Sequence, residues 1–381
     1  MKQNKVLSSV LLIINAIAGV NIFVFPMIGA NLGFIPTIFF IITFWALTTV
    51  TGLLFLEVAL NLKEQAGGFS SMAGKTLGVV GKIAVWLSCP LLLYAFIASG
   101  VVSVASLPGF EISGIQLPGW SNVIILGLIV GGIIICGTSL VDLFNRGLTV
   151  IKGSCLFLVC VFLMPRMNLN VGPYEYLHLG VVIPLLLSGF RLHIIIPRMC
   201  NYIGYDKPAE LRRSVIVGST IASAVLLFLT LVIMAAGKGG EISASIVDNK
   251  WFFYGANGFY NVALTASFVM TVLGLFDFLA DGFKRQDNKF GRLQTILLVF
   301  IPAIIFGLFY PRGFILVLKY APVFTAIFMI IMPALMAYVV RSKSVSVVQS
   351  YQVFGGNLLL SAIMLAGVFL AALPFVCPGF F

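Results

Sequence analysis

Runs of about 20 apolar residues, the length that crosses a bilayer as a helix, recur along the chain. They lie near residues 6–31, 33–61, 83–107, 121–141, 147–165, 179–203, 214–236, 259–283, 293–310, 314–340 and 353–374. The pattern predicts an all-α polytopic membrane protein with about eleven transmembrane helices in a single domain. Two of the runs are interrupted, at matching places in the two halves of the chain. The first carries Ala18-Gly19-Val20-Asn21 a few residues before Pro26, and the sixth carries Ser188-Gly189-Phe190-Arg191 shortly before Pro197. Unwound backbone at membrane depth is tolerated only where protein or a watery cavity surrounds it. Paired interruptions in corresponding segments therefore point to the binding site of a secondary transporter.

Composition agrees with this pattern. The 381 residues are 60% hydrophobic and only 9% charged, against about 25% charged for a soluble domain. Met1-Lys2-Gln3-Asn4-Lys5 leads into a run longer than a signal-peptide core, so the first run is expected to be a span and not a cleaved leader. The six cysteines are scattered, mostly within the apolar runs, with no CxxC pair. They are expected to pack as small apolar residues, and neither a metal site nor a disulfide framework is implied.

The net charge of +11 could suggest nucleic acid, but its distribution points to membrane topology. With the N-terminus in the cytoplasm, the inside segments at 62–82, 142–146, 204–213, 284–292 and 341–352, the N-terminus and adjoining Lys152 hold 16 Lys and Arg. The outside segments hold five. That asymmetry is the positive-inside pattern, and it places the C-terminus outside. Run 1 then starts inside and run 6 outside. Residues of about 6–165 and 179–340 form a 5+5 inverted repeat, with the helix at about 353–374 as an addition.

Several residues could carry chemistry. Gly19 removes a side chain where the first helix must open, and Pro26 cannot donate to the helical ladder. Freed N–H groups and a positive half-helix end suit a substrate carboxylate. Arg191, about 13 residues into the sixth run, would cost roughly 2.5–3.5 kcal/mol at a helix centre. It could clamp a substrate carboxylate, pair with a membrane acid such as Asp277, or snorkel as a structural residue. His193, two residues on, is either a proton relay or a satisfied interior histidine.

Asp277 and Asp281 share one face of the eighth run at i,i+4 spacing. Buried carboxylates there could exchange protons during transport. Asp277 is the deeper of the two, whereas Asp281 could instead pair with Lys284 or Arg285 at the rim. Glu57 is expected at the membrane interface, and Asp142 with Arg146 is expected to fix a cytoplasmic turn. Tyr94 and Phe190 could line an aromatic-accepting pocket. No phosphate-binding loop, dinucleotide fingerprint or HExxH motif is present, and Gly237–Gly240 has no strand–helix unit around it.

Four blocks carry a family resemblance: GTSLVDLFNRG at 137–147, LGLFDFLAD at 273–281, GRLQT at 291–295 and FYPRGF at 309–314. Together they resemble the hydroxy/aromatic amino acid permeases of the amino acid–polyamine–cation superfamily, most of all the tyrosine-specific ones. Weaker similarity runs from the first span to the tenth. The resemblance implies a leucine-transporter-like fold and proton-coupled uptake of an aromatic amino acid across a bacterial inner membrane. Spans 1 and 6 would hold the amino acid's charged ends, and spans 3 and 8 would help line the pocket. Gly19 and Pro26 match the family's break in span 1, and His193 and Pro197 match its span 6 pattern. Asp277 and Asp281 match the span 8 block. Two positions depart: Asn21 stands where the family has a second glycine, and Arg191-Leu192 stands for a small residue and an aromatic.

The expected function is that of a secondary active transporter, not an enzyme, importing tyrosine first and then tryptophan or phenylalanine by proton symport. Ala18, Gly19, Val20, Asn21, Tyr94, Ser188, Gly189, Phe190 and Arg191 form the expected substrate site, with Asp277, Asp281 and His193 in ion coupling. No cofactor or metal is implied. The expected partners are the amino acid, protons and the bilayer, with no nucleic acid or protein partner, and sodium stays open as the coupling ion. Two alternatives follow from the departures: an exchanger in which Arg191 supplies a fixed charge, and a non-transporting amino acid sensor on a permease scaffold.

Overall fold

The computed structural model describes residues 5–18, 25–26, 28–29, 32–63, 67–106, 111–112, 115–167, 183, 186–238, 241–242, 249–309, 320–342 and 351–376. Among the described residues eleven helices run in chain order: α1 Lys5–Ile17, α2 Phe34–Leu62, α3 Phe69–Ala105, α4 Trp120–Cys136, α5 Thr138–Leu163 and α6 Ile196–Ile203. They continue with α7 Pro208–Ala236, α8 Lys250–Gly282 and α9 Lys289–Phe309, then α10 Tyr320–Ser342 and α11 Gly356–Val376. Eight are long and apolar enough to cross a membrane, and α1 and α4 are shorter apolar helices. The only strands among the described residues are two-residue antiparallel ladders, Glu111–Ile112 with Ile115–Gln116 and Gly237–Lys238 with Glu241–Ile242. The chain is an all-α multi-pass membrane protein.

The bundle is built around α8, whose central turns are almost wholly buried and which packs on α3 and α5. α1 lies against α7, and α2 against α7 and α10. Several pairings repeat across the two halves. α2 meets α7, α3 meets α8, α4 meets α9, and α3 packs on α10 as α8 packs on α5.

Local sequence explains the departures from the predicted boundaries. The turn expected at 142–146 is helical, and the chain turns instead at Gly137, whose φ of 117° is one that side chains with a Cβ resist. Asp142 and Arg146 pair at 3.0 Å across one turn of α5, so they fix a helix where a loop was expected. The link expected at 62–82 is helical from Phe69, and Gly78 (φ 70°, ψ −152°) separates that entry segment from the spanning part of α3. In α10 a π-turn at Ile327–Ile331 widens the helix where Phe328, stacked near Phe69, enters the core.

Candidate functional site

The sixth apolar run breaks where the sequence places the break. Leu186 and Leu187 end a helical turn, Ser188 and Gly189 form a tight bend, and Arg191 (φ −77°, ψ 39°) is non-helical. A 3₁₀ turn at Leu192–Ile195 then leads into α6, with Pro197 in its first turn, where a missing N–H costs nothing. α1 ends at Ile17, and the N–H of Ala18 just after it donates to Ile14 O at 2.8 Å. Gly19, Val20 and Asn21 lie outside the described residues. α1 packs directly against the Leu192–Ile195 turn, so the two interrupted runs meet. Phe25 and Phe190 join there edge to face, with ring centroids 5.9 Å apart.

Arg191 is 4% exposed, which removes the snorkelling reading. Its Nη1 and Nη2 donate to Thr271 Oγ1 at 3.4 Å and Ser267 Oγ at 3.2 Å on α8. Its guanidinium lies over the Phe96 ring of α3 at 3.9 Å, and Nε has no hydrogen-bond partner. The expected pairing with Asp277 does not form. Asp277 is held by Arg198, which donates from Nε at 2.7 Å and Nη2 at 2.5 Å in a two-pronged bridge between α6 and α8. Arg198, about two turns further along the same segment, is nearer to Asp277 than Arg191 is, and wins the acid. A cation stacked on an aromatic ring recovers up to about 2 kcal/mol when desolvated, less than the several kcal/mol its burial costs.

Asp281 makes no rim ion pair with Lys284 or Arg285. It accepts from Ser71 N at 2.9 Å and Ser71 Oγ at 2.6 Å, capping the start of α3, where the helix dipole favours a negative charge. Gly68 makes the approach possible, since a Cβ there would sit 2.7 Å from the Asp281 Cβ. His193 is fully buried, with Nε2 3.0 Å from Thr51 Oγ1 on α2. Tyr94 does not face the pocket: its hydroxyl donates to Leu298 O on α9 at 2.7 Å. The α3 aromatic that reaches the site is Phe96, two residues on and on a different face. Glu57, near the end of α2, is buried against the protein and takes two hydrogen bonds from Arg341 and one from Val353 N.

Lys152 was counted with the charges of an inside loop, but it is 5% exposed on α5. Its Nζ donates to Ala18 O at 2.9 Å and to Asn15 Oδ1. Asn15 in turn donates to Asn145 Oδ1 at 2.6 Å and Thr149 Oγ1 at 2.7 Å. Asn145, Thr149 and Lys152 recur at helical spacing on one face of α5, which was the available signal. A polar seam thus runs along the apolar bundle and ends at Ala18, just past α1.

A cavity of about 640 Å³ opens between the 63–68 and 283–288 links, lined by Ser71, Arg198, Asp277, Asp281 and Arg292 among others. Arg292 hydrogen-bonds Asp287 and holds that carboxyl below the usual carboxylate range. A second space of about 20 Å³ shares Gly68, Pro197 and Asp277 with it and reaches His193, room for about one water. The site therefore has a wide vestibule and a narrow passage toward the turn that follows the break in the sixth run. Among the described residues no cluster of His, Cys, Asp or Glu could hold a metal ion.

Residues 2–374 match the family model described as the tryptophan/tyrosine permease family. The chain is 29% identical to "Tyrosine-specific transport system 2" of Haemophilus influenzae, with 99% of this chain and 97% of the relative aligned. It is 27% identical to a "Tryptophan-specific transport protein" of the same organism, over 96% and 94% of the two chains. It is 26% identical to a "Tyrosine permease" of Enterobacter agglomerans, over 95% and 94%. A match spanning nearly the whole chain, on a helical membrane bundle with two interrupted runs that meet, places it plainly: the chain belongs to the tryptophan/tyrosine permease family, a family of transport proteins and not of enzymes.

Proposed function

We propose that this protein imports an aromatic amino acid, tyrosine first, across a bacterial inner membrane by proton symport. The observation that carries the reading is that α1 packs on the turn that follows the break in the sixth run, with a buried cation at each place, Lys152 on Ala18 just past α1 and Arg191 at the break. Relatives named for tyrosine and tryptophan transport support the substrate class. The repeated pairings α2–α7, α3–α8 and α4–α9 support a 5+5 inverted repeat with α11 added.

In this reading Lys152 carries the coupling proton, a role the sequence offered to Asp277, Asp281 and His193. As an ammonium it has donors for both Asn15 and the Ala18 carbonyl. A neutral amine has fewer donors and no charge, so its hold on the end of α1 weakens. Loss of the proton thus loosens the first break, which couples protonation to the shape of the site. Asp277 with Arg198 and Asp281 with Ser71 then hold the vestibule walls. With the N-terminus in the cytoplasm the vestibule opens inward, which makes this an inward-facing state.

The test is uptake of labelled tyrosine into proteoliposomes with and without an inward proton gradient, competed by the common amino acids. Gradient-driven accumulation blocked by aromatic amino acids is expected, and uptake indifferent to the gradient would remove the symport. Arg191 motivates one second reading, exchange without net proton flow, because a permanent guanidinium supplies a charge that needs no proton. It predicts uptake only into vesicles preloaded with amino acid.

A further inference from the structure

Two cations are buried at the centre of the described bundle, and no described carboxylate is free to answer them. Glu57 binds Arg341, Asp142 binds Arg146, and Asp277 binds Arg198. Asp281 caps α3, while Asp206, Glu210 and Asp287 lie in or beside links between helices. The remaining acids, Glu64, Glu111, Glu175, Glu241 and Asp248, fall between the apolar runs of the sequence.

The two cations are not equally served. Lys152 meets a side-chain carbonyl, that of Asn15, and the backbone carbonyl of Ala18. Arg191 has two neutral hydroxyls at the long end of hydrogen-bonding distance, a ring face and an orphaned Nε. Thr271 Oγ1 already donates its proton to Ser267 O at 2.8 Å, so it can only accept from the guanidinium. A planar guanidinium matches a carboxylate with two parallel N–H···O bonds, and this is the acceptor Arg191 lacks. Phe96, Phe25 and Phe190 are the aromatic surfaces near it, suited to a ring at the other end of such a ligand.

Charge then decides which aromatic carboxylates gain most. A monoanion cancels one of the two buried positive charges. A zwitterion cancels none, and brings an ammonium group toward two like charges in a medium that screens them poorly. We propose that Arg191 receives the substrate's carboxylate, and that the site takes aromatic carboxylates as a class, including 2-oxo and 2-hydroxy acids with no amino group. The inference rests on the reading of the chain as an aromatic amino acid transporter and extends its substrate range.

The experiment uses the purified full-length chain and competition against labelled tyrosine. The competitors are unlabelled tyrosine, 4-hydroxyphenylpyruvate (carboxylate, no ammonium) and tyramine (ammonium, no carboxylate). The oxo acid is expected within about tenfold of tyrosine in Kd, a difference of about 1.4 kcal/mol, and tyramine is expected not to compete. Arg191→Met should lose both carboxylates, and Arg191→Lys, which keeps the charge without the fork, should retain part of the binding. Competition by tyramine but not by the oxo acid overturns the inference and leaves the transporter reading standing. So does undiminished oxo-acid binding by a folded Arg191→Met. If tyrosine itself does not bind, the transporter reading fails, and labelled oxo acid decides the inference alone. Binding that depends on Arg191 upholds it, and no binding overturns it.

Discussion

Lys152 donates to the carbonyl of Ala18 at 2.9 Å across the α1–α5 interface, just past the end of α1. In the proposed coupling this contact joins a titratable group to the end of that helix. Lys152→Gln keeps a donor but cannot titrate. It is expected to cut gradient-driven accumulation about tenfold or more, ~1.4 kcal/mol in coupling, while leaving exchange of tyrosine across the membrane in place. Lys152→Arg, permanently charged, should behave the same way. The measurement is uptake against exchange over a range of pH. A normal pH profile in either variant would remove Lys152 from the coupling step.

Arg191 gives a prediction with an unusual sign. Its guanidinium is buried without a carboxylate among the described residues, so replacing it with an apolar residue removes a desolvation cost. Arg191→Met should leave the substrate-free protein as stable as before or more so, by about 1–4 kcal/mol as in other buried-charge replacements. Transport should fall strongly. Thermal unfolding of the purified variant beside the parent checks the first half and tyrosine uptake the second. A large fall in Tm would mean that Arg191 has a structural partner.

Much of this was legible in the sequence, for identifiable reasons. Long apolar runs and the Lys and Arg asymmetry follow from the bilayer, so the spans were readable without tertiary information. The break at Ser188-Gly189 was readable because Gly and a nearby Pro leave few alternatives to a bend. Pairing was not readable. Arg198 and Arg191 lie seven residues apart, and only the rotation of the segment after the 3₁₀ turn decides which one meets Asp277. Lys152, inside the run at 147–165, was hidden by its nearness to the turn expected at 142–146, since the turn lies earlier, at Gly137. Tyr94 and Phe96 were likewise separable only by knowing which face of α3 meets α9.

The Asp281–Ser71 contact ties α8 to the start of α3 with little room to spare. Gly68→Ala would place a Cβ 2.7 Å from the Asp281 Cβ, and is expected to destabilise by about 1–3 kcal/mol through overpacking. Asp281→Asn should weaken the cap more mildly. In both variants the amount of protein in the membrane should drop while the KM of what inserts stays unchanged. Quantified membrane levels beside uptake kinetics separate the two effects, and a raised KM at normal levels would assign Asp281 to the substrate path.

The Glu57–Arg341 pair ties α2 to α10. Both partners are almost fully buried, at 1% and 8% side-chain exposure, and Val353 N completes the carboxylate's partners at 2.8 Å. Glu57→Gln leaves Arg341 charged and short of its acceptor, so it should cost about 3–5 kcal/mol. Removing both charges should cost far less, because Glu57→Leu with Arg341→Met strands only neutral backbone groups, the Val353 N–H and the Val353 and Gly356 carbonyls. A double-mutant cycle on thermal stability would then show each single change to be worse than the pair. Additive losses would instead mean that the two side chains act through separate neighbours, with α10 held to α2 by packing alone.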